Sequence, residues 1–229
     1  MEGQGEVKLL GVTYSPFVAR VRIALNLKGI SYEFIEENLQ NKSQLLLQSN
    51  PVYKKIPVLI HDGKPICESM IIVQYINETW TSGTVDLMPK DPYDRALARF
   101  WTAFVDDKIF VKEVLGQGEE QQKAVEETVA NLMLMEEALR TTFEGKPFFG
   151  GEHIGLVDIA LGSMASWIVA IQQATNVKLV EKEKMPLLSA WMDRFTKTEG
   201  VKEAMPDTAK LLEIAKGIRA RLSAAQAAK

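Results

Sequence analysis

Residues 55–69 leave the chain few ways to fold: Lys55-Ile56-Pro57-Val58-Leu59-Ile60-His61-Asp62-Gly63-Lys64-Pro65-Ile66-Cys67-Glu68-Ser69. Val58 to Ile60 is a short apolar strand, and Asp62-Gly63 is a strong two-residue hairpin signal, because such a turn needs positive φ at its centre. A second strand, Pro65 to Cys67, pairs back. Ser69 then meets the apolar run Met70 to Ile76, where its hydroxyl is expected to cap a helix by accepting from free backbone N–H groups. Glu68 and Ser69 thereby fall at the positive end of a helix dipole, a place suited to a small anionic ligand. The same residues are equally consistent with a hairpin and a capped helix that bind nothing.

The segments before this unit complete a pattern. Val7 to Thr13 reads as a buried strand. Pro16 suits the first position of a helix that carries Val18, Val21, Ile23, Ala24, Leu25 and Leu27, and Gly29 stops it. Ser31 to Glu36 alternates with Tyr32 and Phe34 on one face, as in a half-buried strand. Lys42 to Ser49 is a short helix ended by Asn50-Pro51. The order is βαβαββα over residues 1–79.

Composition changes after Asn77. Residues 80–91 hold Gly83, Pro89 and several polar side chains and read as a linker. Beyond it strand signals nearly vanish, so 92–229 is predicted to be all-helical. Asp91-Pro92 opens a long helix with Leu97, Phe100, Trp101, Phe104 and Val105 at helical spacing. A second helix spans about Glu119 to Phe143, with Val125, Val129, Leu132, Met133 and Leu139 inward. After the turn at 145–151, Asp158 stands three residues beyond Gly155, where its carboxylate can bond back to a helix start, as in a capping box. That assigns Asp158 to folding. Later helices are predicted near 186–198 and 207–222, with a fraying Ala-rich tail.

A net charge of −3 gives no nucleic-acid footprint. A single cysteine fits a reducing compartment, and the polar, acidic start differs from a signal peptide, so the cytosol is expected. No run approaches the ~18–20 apolar residues of a membrane span. His61 and His153 lie in separate turns, so no metal is proposed. Cys67 reads as a small buried hydrophobe.

The first strand-to-helix turn, Tyr14-Ser15-Pro16-Phe17-Val18, is where thioredoxin-like redox proteins carry C-x-x-C. Here the two positions are Ser15 and Val18, so dithiol exchange is not available. Taken alone, Ser15 is an ordinary helix cap. Together, this turn, the I-P-V-L stretch with its hairpin, and Glu68-Ser69 resemble glutathione transferases. The runs Asn41-Lys42-Ser43, Asn50-Pro51, Lys54-Lys55-Ile56-Pro57 and Ile66-Cys67-Glu68-Ser69 resemble the plant tau class in particular.

The resemblance implies a thioredoxin-like glutathione-binding domain (1–79), a linker (80–91) and an all-α domain (92–229) that supplies a hydrophobic pocket. It implies Ser15 as the catalytic residue, a hydroxyl that donates to the glutathione thiolate. The magnitudes are adequate. A thiol near pKa ~8.5 needs a shift of about two units, or ~2.7 kcal/mol; a hydrogen bond to a charged group contributes roughly 1.5–3 kcal/mol and a helix terminus roughly 0.3–1 kcal/mol. Lys42 and Lys55 would pair with the glycyl carboxylate, Ile56 would bind the cysteinyl unit through its backbone before a cis Pro57, and Glu68 and Ser69 would hold the γ-glutamyl end. Phe17, Phe110, Val114 and Trp167 would line the hydrophobic pocket. Implied as well are glutathione as co-substrate with no resident cofactor, hydrophobic electrophiles, xenobiotic and herbicide detoxification, some peroxidase activity and a homodimer. Two rivals stand beside this: a thiol transferase, which Ser15 argues against, and a non-catalytic carrier of hydrophobic molecules.

Overall fold

The computed structural model describes residues 5–81, 85–109 and 113–227. Four strands, β1 (Val7–Gly11), β2 (Glu33–Glu36), β3 (Val58–His61) and β4 (Lys64–Cys67), form one sheet in the order β2-β1-β3-β4. β1 runs parallel to β2, which obliges a crossover, and α1 (Pro16–Leu27) provides it. β3 and β4 pair antiparallel through a turn in which Asp62 and Gly63 both take positive φ. Side-chain alternation divides the sheet's two faces. Leu9 and Leu59 face the main core, while Leu10, Val58 and Ile60 join Leu46 of α2 (Gln44–Ser49) in a smaller cluster.

α3 (Ser69–Thr79) packs against α1 and completes the βαβαββα unit of a thioredoxin-like domain. The rest is helical: α4 (Pro92–Lys108), a 3₁₀ turn (Glu113–Leu115), α5 (Gly118–Thr141), α6 (Leu156–Gly162), α7 (Ala165–Thr175), α8 (Pro186–Lys197), α9 (Val201–Ala204) and α10 (Thr208–Ala227). Asp91 caps α4 by accepting from the N–H groups of Tyr93 and Asp94, as its sequence position predicts.

Two side chains expected to face inward do not. Phe100 and Met133 point outward, because the inward stripes of α4 and α5 run instead through Ala98, Thr102 and Val105 and through Leu132, Met135 and Leu139. The central helix is broken at Ser163-Met164 into α6 and α7. Residues Leu156–Thr175 are, by length and composition, apolar enough to cross a bilayer, but 78% of that window is buried inside the protein, as befits a core helix.

Asp158 organises the helical half. Its Oδ2 accepts from the N–H groups of Gly155 and Gly150 (both 2.8 Å), and its Oδ1 accepts from Phe149 N–H (2.9 Å) and Trp191 Nε1–H (2.7 Å). One carboxylate thus ties the 149–150 turn, the start of α6 and the core of α8. Burial pushes its carboxyl up to about 6 against the pull of those four donors. Close packing sets the next turn: a Cβ on Gly162 would lie 2.2 Å from the Phe195 ring.

Candidate active site

Ser15 sits where β1 turns into α1. Its backbone is extended and its Oγ accepts a long bond from Val18 N–H (3.4 Å), so the serine caps the helix. Among the described residues the hydroxyl donates to no protein group, which leaves its proton for a ligand. Val18 is buried against Gly11, where a Cβ would come within 2.7 Å of the valine methyls.

Beside this corner lies a cleft of about 160 Å³ bordered by Phe17, Asn50, Lys55, Ile56, Pro57, Glu68 and Ser69. Ile56-Pro57 is cis. Glu68, exposed and with φ of 70°, occupies the N-cap position of α3 without a side-chain cap bond. Ser69 is the first residue of α3, and its hydroxyl accepts from Arg20 Nη1 (3.3 Å). The expected capping role for Ser69 is therefore corrected: Glu68 holds the cap position, and Arg20 takes the serine oxygen.

Lys42 does not border the cleft; its ammonium donates to Lys54 C=O (2.8 Å), bracing the loop that carries Lys55. Asn50 braces the same loop from within. It is buried, donates to Lys55 C=O (3.0 Å) and accepts from Tyr53 N–H (3.1 Å). Asn50 is a cleft residue that the sequence analysis read as a helix breaker and as part of a tau-like run, with no role in the site.

On the other side of Phe17 opens a cavity of about 300 Å³, within the range of small-molecule sites. Pro16 and Phe17 form one wall. Val105 and Asp106 of α4, Ile109 just after it, Leu115 of the 3₁₀ turn, Met164, Trp167 and Ile171 around α7, and Ile218 of α10 form the others. Trp167 lines it as expected, its Nε1–H donating to Tyr14 C=O (2.9 Å). Val114 does not: it is 0% exposed and belongs to the core, and its neighbour Leu115 turns to the cavity instead. The expectation failed because α4 ends at Lys108, so Val114 follows no α-helical phase from it. Phe110 lies outside the described residues.

Between cleft and cavity runs a link the sequence reading missed. Arg20 is 0% exposed, with Nε donating to Ser163 Oγ (3.2 Å), Nη1 to Ser69 Oγ and Nη2 to Ala160 C=O (3.1 Å). Nη2 also pairs with Asp106 at 2.7 Å, and the Phe17 ring lies 5.0 Å from the guanidinium carbon. Burial pulls the guanidinium below its ordinary range and Asp106 pulls it back. The available signal was a charge inside an apolar helical stripe: Arg20 stands among Val18, Ala19, Val21, Ile23 and Ala24, all buried. Such a charge is tolerated only with partners.

A two-domain chain of this fold, with a cleft at a cis-proline and an apolar cavity beside it, is a glutathione transferase by architecture. The family model for the glutathione S-transferase N-terminal domain matches residues 5–78, and that for the C-terminal domain matches residues 88–199. The chain belongs to the glutathione S-transferase family. It is 49% identical to glutathione S-transferase U17 of Arabidopsis thaliana over 93% of this chain and 96% of that one. It is 48% identical to a probable glutathione S-transferase of rice, GSTU6, over 93% and 94%. Among solved structures, a tau-class enzyme from mango superposes with a TM-score of 0.89 at 48% identity, covering 94% of this chain and 100% of that one. A rice enzyme solved in complex with glutathione gives 0.87 at 35% identity, covering 96% and 98%. Within the family the chain falls with the plant tau class.

Proposed function

We propose that Ser15 is the catalytic group of this glutathione transferase: its hydroxyl donates to the glutathione sulfur and holds it as the thiolate, which attacks an electrophilic carbon in the apolar cavity. The observation that carries the reading is Phe17. It stands two residues after Ser15 and borders both the cleft and the cavity. A sulfur held at the head of α1 is then at the junction of the two, and the reaction becomes effectively intramolecular. Lys55 and the backbone of Ile56 take the glycyl and cysteinyl parts, Glu68 and Ser69 take the γ-glutamyl end, and Lys42 contributes by holding the loop. Glutathione is read as co-substrate, with 1–79 its domain, 80–91 the linker and 92–229 the electrophile domain. Hydrophobic xenobiotics, herbicides included, are the substrate class in this reading, with hydroperoxide reduction as a side activity. The apolar cavity also suits a carrier role.

The test is titration of the bound sulfur by its thiolate absorbance. The expected midpoint is about two units below the free value of ~8.5, returning close to it in Ser15→Ala, with kcat/KM lower by about 100-fold. A bound sulfur that ionises as it does in buffer would reduce the protein to a carrier.

We infer a homodimer from apolar side chains left in solvent: Val52, Tyr53, Ile71, Tyr93 and Phe100. Ile71 is on α3 and Tyr93 and Phe100 are on α4, two helices that Arg99 bridges by donating to Gln74 (2.9 Å), while Val52 and Tyr53 lie in the turn after α2. Light scattering should give twice the chain mass for the natural protein and the chain mass for Phe100→Glu. The single, half-buried Cys67 accords with a reducing compartment, and we infer the cytosol.

A further inference from the structure

Resting on the Ser15 reading and deepening it, we propose that Trp167 is a positioning residue for that serine. Its indole N–H, donated to the Tyr14 carbonyl, sets the peptide plane from which the proposed catalytic hydroxyl is presented. Within the corner between β1 and α1, Ser15 N–H donates to Val12 C=O (3.1 Å) and Ser15 C=O accepts from Ala19 N–H (3.0 Å). The peptide unit that joins Tyr14 to Ser15 is thereby held at its N–H end by the turn itself. Its carbonyl end is held from 153 residues away, by Trp167 Nε1–H at 2.9 Å. Among the described residues this is the one side-chain hydrogen bond that the helical half places on residues 12–15. A swing of this rigid unit changes φ of Ser15, here −78°, and with it the direction of Oγ. The hydroxyl itself has little other restraint, because its bond from Val18 N–H is long at 3.4 Å.

Trp167 serves two places at once. Its ring borders the cavity together with Met164 and Ile171 from the adjoining turns, while its polar edge is spent on the Ser15 corner. A phenylalanine there would complete the wall and leave Tyr14 C=O without that donor. Ile171 also borders the cavity but makes no bond to the corner, so it separates the effect of the wall from that of the N–H. Trp167 does not border the cleft, and its loss should therefore act on the state of the sulfur rather than on the affinity for glutathione.

The experiment is the absorbance titration of bound glutathione on the natural protein, Trp167→Phe and Ile171→Val, without electrophile. It is joined to kcat for 1-chloro-2,4-dinitrobenzene at pH 6.5 and pH 9. Trp167→Phe is expected to raise the sulfur's midpoint by about one unit, with KM for glutathione within about twofold of the natural value. A midpoint moved from about 6.5 to about 7.5 cuts the thiolate share at pH 6.5 about fivefold and barely alters it at pH 9. The kcat should follow, falling about fivefold at the lower pH and less than about twofold at the higher. Ile171→Val should change KM for the electrophile and leave the midpoint in place. A merely structural part for Trp167 would lower kcat by one factor at both pH values. That result, or a midpoint in folded Trp167→Phe equal to the natural one, overturns the proposal. Should Trp167→Phe not fold, Trp167→Met, a pliant filler that equally lacks the N–H, takes its place. A natural protein whose bound sulfur ionises as in buffer removes the Ser15 reading and this proposal with it. A lowered natural midpoint that Trp167→Phe leaves untouched removes this proposal alone.

Discussion

The cleft and the cavity meet at one phenylalanine and are built in opposite ways. The cleft comes from two short stretches, 50–57 and 68–69, with Phe17 at its edge and the cis Ile56-Pro57 bond in its wall. The cavity collects single side chains from α1, α4, the 3₁₀ turn, the α6–α7 break, α7 and α10. One half-site is written locally; the other exists only after distant helices have docked. A site that must hold the same tripeptide in every turnover gains from rigid local geometry. A site that admits varied electrophiles gains from walls that can be altered one residue at a time.

Arg20 is where this division can be broken most severely, because it bonds to both halves. Arg20→Met leaves the Ser69 and Ser163 hydroxyl oxygens without the guanidinium donor, removes one of two side-chain donors from the Ala160 carbonyl, which keeps the Ser163 hydroxyl, and leaves Asp106 without its cation. The unfolding free energy is expected to fall by about 3 kcal/mol, the lower end for a buried pair since Asp106 keeps some solvent. Urea denaturation should display the loss, and affinities for glutathione and electrophile should fall together. An effect on one ligand alone would mean that the halves are less coupled than the bonds imply.

The helical half can be probed apart from the cleft through Asp158. Its folded-state pKa lies above the unfolded value, so between about pH 4 and 6 the folded chain binds the extra proton and the unfolded chain does not. Stability from this group therefore rises as pH falls through that window, by up to about 3 kcal/mol, and is absent above it. Asp158→Asn should be less stable at pH 7, through lost acceptor capacity, and should lack that pH-dependent increment. The advantage of the natural protein over the variant should thus widen on acidification to pH 4. A constant gap in paired urea titrations would show that burial does not govern this carboxyl.

The gentlest change concerns the cavity alone. Ile218→Ala in α10 is expected to raise KM for a hydrophobic electrophile by about three- to tenfold, as for the loss of a few methylenes from an apolar wall, and to leave KM for glutathione unaltered. Equal changes in both would place α10 in control of the cleft too.

These two modes of construction explain what the sequence made legible. The Asp62-Gly63 turn, the hairpin, the Asp91 cap of α4 and the Gly155-Asp158 start of α6 each depend on neighbours within a few residues, and each could be read directly. Phe100 could not, because helical spacing identifies an apolar stripe without saying which side the core lies on; that is decided by what packs against α4. Val114 failed for a related reason, since the end of α4 shifted its phase. Arg20 meets Asp106 across 86 residues, and Asp106 and Ile218 border one cavity from 112 residues apart; nothing local announces such encounters. Asn50 was visible but misjudged: its side chain serves the loop after the helix that it ends.

Phe17 is a party wall. Trimming it to enlarge the room for bulky electrophiles would also loosen the cleft proposed for the tripeptide, and enlarging it would crowd cleft and cavity at once. New substrate ranges in such a scaffold are more readily reached by remodelling the far walls on α7 and α10, which only one occupant touches.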